Sequence, residues 1–346
     1  MISILAILSV SIGQHVRQKI SLADRIEVRN WLCGVSETGI SQTLYRLRQK
    51  KEADEGYHSQ NDTYTSGKTD FSNVAVGGET TYTVSHFYRE TQDGELKVHY
   101  GVDDEEGKVN LNVADAKSLS EFFQKIGGVE PELADQIGYS VADWRDTDNS
   151  LAHPEYGAED DFYEDFETPY ECKDYKFESI EELLLVRGIT PELFEKVRPF
   201  ITVYGEGVVN INTAPREVLV WLGMDDALAD KIMVFRVGID HEQNTSDDGV
   251  FKQIGDWNAE LGKRVKLTDN DIGVLNQIAK TKQIGINSRY FRILSRGTAP
   301  RKRQTLEIEA IADIEGKIYS WAMGVPRRMT PLELQEAGQK SARSEA

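Results

Sequence analysis

The densest group of carboxylates in this chain of 346 residues lies between residues 143 and 182. Asp and Glu greatly outnumber Lys and Arg there, in the runs DWRDTD from Asp143 and GAEDDFYED from Gly157. Asp146 and Asp148 place two carboxylates on one short turn, where they repel each other unless a cation lies between them. Calcium takes roughly six to eight oxygen ligands on irregular loops. On the residues alone, a calcium site and a solvated acidic loop without an ion both fit this segment.

Other chemistry is not favoured by the residue types. His153 is the one nitrogen ligand near the acidic run, which argues against a transition metal. The sequence has no GxSxG, HExxH or P-loop motif, and its paired carboxylates share one loop instead of facing each other across a cleft. We therefore expect a protein that is not an enzyme.

The two cysteines, Cys33 and Cys172, have no CxxC partner, which excludes a zinc ribbon. The interpretation that fits their surroundings best is that Cys33 is a small apolar residue in a helix and that Cys172 lies in the acidic loop. A disulfide between them stays open for an oxidising compartment.

The net charge of −18 and the pI of about 4.9 argue against nucleic acid as a partner, because phosphate binding needs a basic face. The same charge favours a monomeric soluble domain over a homo-oligomer.

A long N-terminal helix is predicted over residues 1–55. Met1 to Ile12 is apolar but too short to span a bilayer, which needs about 20 residues. The run continues into an amphipathic pattern with apolar residues at helical spacing: Ile20, Ala23, Ile26, Leu32 and Val35. The pattern favours a membrane-anchored stalk, and we expect part of the anchor to lie upstream of Met1. A buried N-terminal helix of a soluble protein is the alternative.

Strand patterns flank a large helical block. Thr80–Arg89 and Leu96–Val102 predict a hairpin with Gln92-Asp93-Gly94 as its turn. Strands return at 290–296, 304–313 and 317–323, with Glu315-Gly316 as a turn. This order predicts an α+β domain formed by residues 56–107 and 284–326, an α-helical domain inserted at 108–283, and a disordered tail at 327–346.

The helical block contains an internal repeat. Gly107–Ala114 (GKVNLNVA) matches Gly207–Ala214 (GVVNINTA), and each copy precedes a pair of helices. The second Asn of each copy, or Thr213, is predicted to be the N-cap of the helix that follows.

Four elements in one order resemble the K-type minor pseudopilins of type II secretion. They are DDEEGKVNLN at 103–112, DWRDTD at 143–148, GAEDDFY at 157–163 and NINTA at 210–214. The resemblance runs from about Ile2 to Met323.

The resemblance implies a pilin-like fold, with a long N-terminal helix and an antiparallel sheet, into which a helical domain with two helix-hairpin-helix or SAM-like repeats is inserted. It implies a place at the tip of the pseudopilus with the I- and J-type minor pseudopilins as partners. The N-terminal helix would lie in the inner membrane and the globular part in the periplasm of a Gram-negative-type envelope. It also favours calcium at the acidic loop, with these expected ligands: Asp146, Asp148, Glu159, Asp160 and Asp161. Asp143 is expected to serve a helix cap instead.

A DNA-binding periplasmic protein is the alternative function, because helix-hairpin-helix modules also bind DNA through a glycine-rich turn. The candidate turns are at Gly127-Gly128, Arg187-Gly188 and Gly223. Their neighbours are acidic, which disfavours phosphate binding: Glu130, Glu132, Asp225 and Asp226.

Overall fold

The computed structural model describes residues 2–53, 56–88, 97–240, 245, 247–281, 283–324 and 327–328. Its helices are α1 Ile2–Ala53, α2 Lys68–Phe71, α3 Ala116–Phe122, α4 Pro131–Arg145, α5 Asp160–Glu164, α6 Pro191–Val197, α7 Arg216–Trp221, α8 Asp226–Val237, α9 Trp257–Gly262 and α10 Asp269–Lys280. Its strands are β1 Val74–Gly77, β2 Thr80–Tyr88, β3 Lys97–Tyr100, β4 Asp103–Asp104, β5 Val109–Asn110, β6 Ile201–Thr202, β7 Val209–Asn210, β8 Ile284–Gly285, β9 Tyr290–Ala299, β10 Gln304–Asp313, β11 Ile318–Met323 and β12 Arg327–Arg328.

The main sheet is antiparallel, with the strand order β1-β2-β9-β10-β11. Strand β3 pairs with β2, and β4 pairs with β9. The predicted hairpin strands and the three later strands are therefore confirmed, while the turn at residues 92–94 lies outside the described residues. The mixed helix and antiparallel sheet agree with the α+β expectation.

The second half of α1 packs on one face of this sheet because small residues let the two backbones approach closely. A Cβ atom on Gly297 of β9 would lie 2.9 Å from the Leu32 carbonyl oxygen, nearer than side chains tolerate. At the same place Ser36 Oγ donates to the Leu306 carbonyl at 2.9 Å and accepts from the Gly297 N–H at 2.9 Å. The helix is thereby fixed on the sheet from Val28 onward, where its first buried apolar side chain lies among the described residues.

Two separate clusters of buried apolar side chains lie in the described residues. One cluster consists of buried side chains from two parts of the chain. They lie between residues 28 and 102, mostly on α1 and the early strands, and between residues 291 and 312 on β9 and β10. The other lies within residues 109–284, which form the helices α3 to α10 and short strand pairs. The domain boundaries at 107/108 and 283/284 stay a prediction.

In the two repeats, the first Asn organises the turn after a short strand. Asn110 is the last residue of β5 and Asn210 is the last residue of β7, and each strand precedes the helix pair of its repeat. Both strands form two-residue parallel pairs, β5 with β6 and β7 with β8. The side-chain oxygen of Asn110 accepts from the Asn112 N–H at 2.8 Å, and that of Asn210 accepts from the Asn212 N–H at 3.0 Å. This shared geometry explains why N-x-N recurs in the sequence.

The second Asn of each repeat does not cap a helix, so that prediction is wrong. Asn112 accepts from the Phe177 N–H and donates to the Phe177 carbonyl, and Asn212 makes the same pair of bonds with Phe251. The amides are thus occupied in holding a distant segment. Asp115 caps α3 instead, by accepting from the Ser118 N–H at 2.8 Å.

Thr213 does not cap α7 either, and its hydroxyl donates to Asp104 of β4 at 2.6 Å. Pro215 occupies the N-cap position of α7 without a side-chain hydrogen bond. Asp104 also accepts from Ser288 and Asn210, so one carboxylate joins the sheet to the second repeat.

Replacing Asn212 by Ala should destabilise the protein by about 3 kcal/mol, because it leaves the buried N–H and carbonyl of Phe251 without partners. Denaturant unfolding of the purified chain measures this. Asn270→Ala, at an exposed position of α10, is the matched control and should change stability by less than about 0.5 kcal/mol. Equal effects of the two substitutions would contradict the role given to Asn212.

Strand β12 lies within the segment expected to be a disordered tail. Arg327 pairs with Thr305, and Arg328 pairs with Gln304. Residues 329–346 lie outside the described residues.

Both cysteines are free thiols, so the disulfide is not formed. Cys33 is half-buried on α1, and its thiol contacts Glu37 at 3.3 Å. Cys172 is buried beside the Ala158 carbonyl at 3.6 Å, and burial raises the pKa of its thiol. Among the described residues, none of the helices combines the length and hydropathy that a bilayer span requires.

Candidate metal centre

The acidic loop connects the end of α4 to the short helix α5. The buried face of α4 includes Val141 and Trp144, and the helix ends at Arg145, which places Asp146 at the C-cap. Glu159 is at the N-cap of α5. The chain therefore returns to the end of α4, which brings the carboxylates before and after the loop together.

Asp143 fixes this return. Its side chain is fully buried, and its two carboxylate oxygens accept from the N–H groups of Ala152 and Ala158, each at 2.7 Å. A Cβ atom on Gly157 would lie 2.4 Å from Asp143 Oδ2, which explains the glycine at the start of the GAED run. Asp143 thus holds the loop from within α4, and the expectation that it serves a helix cap is wrong.

Arg187 supports the same loop from outside. Its guanidinium donates to the Gly157 carbonyl at 2.9 Å and stacks 4.7 Å from the centre of the Phe162 ring. The Tyr163 hydroxyl accepts from the Arg187 N–H at 3.2 Å. Side chains of the segment at 180–188 therefore pre-organise the loop.

Three carboxylates converge at this place. One oxygen from each of Asp143, Asp146 and Glu159 lies within 4.8 Å of the other two. Glu159 is only 6% exposed, and neither of its carboxylate oxygens has a hydrogen-bond partner. Buried carboxylates are almost always paired, so two unpartnered oxygens on one buried side chain form a donor set that a cation would satisfy.

The electrostatics of the cluster agree with this interpretation. Burial, together with the charges of Asp143 and Asp146, raises the pKa of Glu159 to about 7. Burial is also the main cause of the raised pKa values of Asp143 and Asp146. The donor set consists of carboxylate oxygens, which suits a hard cation such as calcium. These residues fit a bound calcium ion, which would supply positive charge at the point where the three carboxylates meet.

The structure brings together two of the five residues expected as ligands, Asp146 and Glu159. Asp148 is exposed and accepts from the Ser150 N–H at 2.9 Å. Asp160 accepts from the Cys172 N–H and the Asn149 amide, and Asp161 is exposed on α5. The assignment of calcium ligands stays a prediction, and the converging set is a different one from the set read off the sequence.

Asp174 was missed by the sequence analysis. It has a left-handed backbone with φ of 52°, and its Oδ1 is buried without a hydrogen-bond partner. Its charge contributes to the raised pKa of Glu159 and Asp146, so it lies near the cluster. No spacing in the sequence links it to the residues near 146, because the loop return is set by tertiary contacts.

A second group of carboxylates, Asp240, Asp247 and Asp248, also lies close together. Asp247 already accepts from the Ile239 N–H at 2.6 Å and from the Thr245 hydroxyl at 2.7 Å, which holds its pKa low at about 2. The group is at the surface, where acidic clusters without an ion are common.

Comparison with known proteins relates part of this chain to one family. The family model described as type II secretion system (T2SS), protein K matches residues 100–206. Type II secretion system protein K of Aeromonas hydrophila is 35% identical over 109 residues, which cover 29% of this chain and 33% of the relative. The protein of the same name from Pectobacterium carotovorum subsp. carotovorum is 33% identical over 85 residues, which cover 25% of each chain.

The fold extends this similarity along the chain. A chain in the crystal structure of the GspK-GspI-GspJ complex from the enterotoxigenic Escherichia coli type 2 secretion system matches with a TM-score of 0.57. The match covers 90% of this chain and 99% of that chain at 16% identity, which is evidence for the fold alone. Residues 100–206 are thus similar to protein K of type II secretion systems, and the fold of most of the chain resembles one chain of that solved complex. The chain spans only a third or less of the length of these curated relatives.

Proposed function

We propose that this protein is a minor pseudopilin at the tip of the type II secretion pseudopilus, where it supports filament assembly and protein export across the outer membrane. The observation that carries the proposal is the division of α1 into two halves with different surroundings. From Val28 the helix packs on the sheet, whereas from Ile12 to Ile26 it exposes a series of apolar side chains. Ile12, Val16, Ile20 and Ile26 are 57%, 49%, 64% and 52% exposed.

An exposed apolar helical face of this length indicates a surface that is covered by another protein or by a membrane, because soluble proteins rarely expose a continuous apolar patch to water. Neighbouring pseudopilin helices and the inner membrane are the surroundings we propose for it. The head would then lie in the periplasm, with the helix as its stalk.

The proposed fold is pilin-like, with residues 108–283 as an inserted helical domain. The support is that the two buried apolar clusters divide close to these boundaries. We further propose that the two N-x-N repeats are helix-hairpin-helix-like units, since the turns at Gly128 and Gly223 have left-handed glycines between their helices.

Tip placement follows from the size of the insertion. Pilin-like subunits stack through their N-terminal helices, so an added domain on the head would obstruct a subunit above it. The chain would therefore end a filament in a heterologous contact that cannot propagate.

Mixing tests the assembly. The head from residue 26 onward should form a complex of fixed stoichiometry with soluble I- and J-type minor pseudopilins in size exclusion with light scattering. Without these partners the head should be a monomer, which its large negative charge favours. Homopolymers of this chain, or no complex at micromolar concentrations, would contradict the tip role.

Removing residues 1–25 should leave the rest folded, because the described residues before Val28 contribute no buried apolar side chain to the sheet. The truncated chain should keep a cooperative thermal transition and become more soluble. A truncation to residue 36 is the control and should lose stability, since it removes the buried Leu32 and Val35. Loss of the cooperative transition in the shorter truncation would show that the first half of α1 belongs to the core.

We also propose that Asp143, Asp146 and Glu159 hold calcium. The loop they close lies against α4 and the segment at 180–188, so the ion would stabilise the helical part of the head. An affinity on the order of 10⁻⁴–10⁻³ M is expected, as in extracellular modules.

DNA binding is not favoured. The basic residue of one candidate turn, Arg187, is engaged with Gly157 and Phe162 inside the protein and does not present its charge to a phosphate. The net charge of −18 opposes the approach of a polyanion. Retention on heparin at low salt would overturn this conclusion.

A further inference from the structure

Three aromatic rings meet where the acidic loop passes α4. Tyr139 lies on α4, and His153 and Tyr156 lie in the loop. The His153 and Tyr156 rings are stacked, with their centroids 4.5 Å apart and 16° between their planes. The centroid of the Tyr139 ring lies 4.9 Å from that of His153 and 6.2 Å from that of Tyr156. All three residues are half-buried, so together they form a partly exposed aromatic platform.

The backbone of the loop holds this platform in place. The buried carboxylate of Asp143 accepts from the N–H groups of Ala152 and Ala158, which lie on either side of the two loop rings. Between them, the Glu155 N–H donates to His153 Nδ1 at 3.2 Å. The rings are therefore oriented before any ligand arrives, which lowers the entropy that a ligand must overcome on binding.

Carboxylates surround the platform. The charge of Glu155 is the main cause of the raised pKa of the Tyr156 phenol, and burial and the charges of Asp135 and Glu132 add to it. Glu132 and Glu155 are exposed. Within the part of the chain that the structure describes, none of these three carboxylates forms an ion pair. The aromatic surface therefore lies in a field of negative charge that no neighbouring cation balances.

Aromatic rings beside free carboxylates suit a cationic ligand. The face of an aromatic ring attracts an ammonium or guanidinium group, and a guanidinium can stack on the ring while its N–H groups bond a carboxylate. The protein makes such a contact internally, where the Arg187 guanidinium lies 4.7 Å from the centre of the Phe162 ring. A neutral sugar also stacks on aromatic rings, but the negative charge gives it no added attraction.

We propose that the aromatic platform of Tyr139, His153 and Tyr156 binds an arginine or lysine side chain of a partner polypeptide. The cationic group stacks on the rings, and Glu132 and Glu155 contact it from the side. The platform is a separate site from the candidate metal centre, because its rings and carboxylates lie at the surface. It depends neither on calcium nor on the tip role.

Fluorescence anisotropy of a labelled peptide of alternating arginine and glycine, titrated with the full chain in mild detergent at low salt, tests the role of the rings. Tyr156→Ala should weaken binding about fivefold, which corresponds to about 1 kcal/mol. Tyr156→Phe keeps the ring face and should retain most of the affinity. Tyr45→Ala is the control, because it removes a 58% exposed tyrosine from α1 and should not change the affinity. Equal affinities of the wild type and Tyr156→Ala would overturn the proposal.

The role of the carboxylates is tested by substitutions that remove one charge each. Glu155→Gln should weaken binding of the peptide about threefold, as expected for a contact with an exposed charge. Glu167→Gln removes an exposed carboxylate of the same acidic segment and should leave the affinity unchanged. All variants should keep a cooperative thermal transition, which separates a loss of binding from unfolding. Equal losses in the two glutamate variants would show that only the net charge of −18 attracts the peptide, and the proposal would be wrong.

The class of ligand is tested with other probes. A peptide with lysine in place of arginine should bind, whereas one with glutamine should not. If a trisaccharide of N-acetylglucosamine binds instead, and Tyr156→Ala abolishes that binding, the platform belongs to a carbohydrate and the proposal is overturned. These measurements need no other subunit and no added calcium, so their failure is distinguishable from failure of the tip role.

Discussion

Calcium at about one hundred times its Kd should stabilise the head by about 2.7 kcal/mol and raise its melting temperature by roughly 5–10 °C, and a chelator should remove the effect. The ion would bind the native loop and not the unfolded chain. Glu159→Gln should abolish most of this stabilisation, because Glu159 contributes two buried oxygens that have no other partner. The same substitution should make the calcium-free protein more stable, since it removes a buried charge that the fold does not compensate. Thermal melts at pH 8 with calcium and with chelator measure both effects.

Asp161→Asn is the matched control, because Asp161 lies two residues after Glu159, its side chain is exposed, and the substitution removes the same charge. It should keep the calcium response. If both Asp161→Asn and Glu159→Gln lose the response, the ligand set expected from the sequence is right and the converging set is incomplete. Equal melting temperatures with calcium and with chelator in the wild type would remove the metal site altogether.

The architecture was readable from the sequence because its signals are local. The strand at 290–299 alternates half-buried and buried residues as far as Gly297, and the turn at Glu315-Gly316 uses a left-handed glycine with φ of 81°. The N-x-N repeat identified two equivalent units from spacing alone. These features depend on residues close to one another in the chain.

The contacts of the repeat were not readable in the same way. Asn112 fits the position of a helix cap in the sequence, but its amide bonds Phe177, which is 65 residues away. The partner segment adopts no regular structure at that residue, so no periodicity marks it. The short polar side chain suits both roles, and only the tertiary fold decides between them.

The cluster of carboxylates shows the same limit. The sequence located the acidic loop but could not distinguish its exposed carboxylates from the converging ones. Asp143 lies in the same helical pattern as the buried Trp144, which suggested a structural role, yet its carboxylate meets Glu159 because the loop returns onto α4. Composition therefore locates the acidic loop and leaves a calcium site and an ion-free loop both open, whereas the set of converging carboxylates depends on the path of the loop.

A buried ionic network joins the sheet to the helical part of the protein. Lys108 bonds Asp103 at 2.6 Å and Glu105 at 2.7 Å, and Glu105 also accepts from Arg292 of β9 and Thr202 of β6. Glu105 is fully buried and Lys108 is 5% exposed. Burial opposes ionisation of Asp103, but the charge of Lys108 lowers its pKa to about 2. Both carboxylates therefore remain ionised at neutral pH only because the cations lie beside them.

Lys108→Met should destabilise the protein by about 3–5 kcal/mol at pH 7, because it leaves buried carboxylates short of a positive charge. The pKa of Asp103 is below its unfolded value of 3.8, so its contribution is present above that pH and is lost as the pH falls toward 2. The difference between the variant and the wild type should accordingly narrow between pH 4 and pH 2. Denaturant unfolding at several pH values measures this.

Lys51→Met is the control for the loss of a lysine charge. Lys51 bonds Glu315 at 2.6 Å, but these side chains are 52% and 54% exposed, so the substitution should cost less than about 0.5 kcal/mol at any pH. The difference between the two substitutions measures the effect of burial on the ion pair, because both lysines make short contacts with a glutamate. A loss below about 1 kcal/mol for Lys108→Met would mean that methionine packing replaces the network, as it does in some buried ion pairs. A loss that does not change with pH would show that Asp103 is not the group left uncompensated.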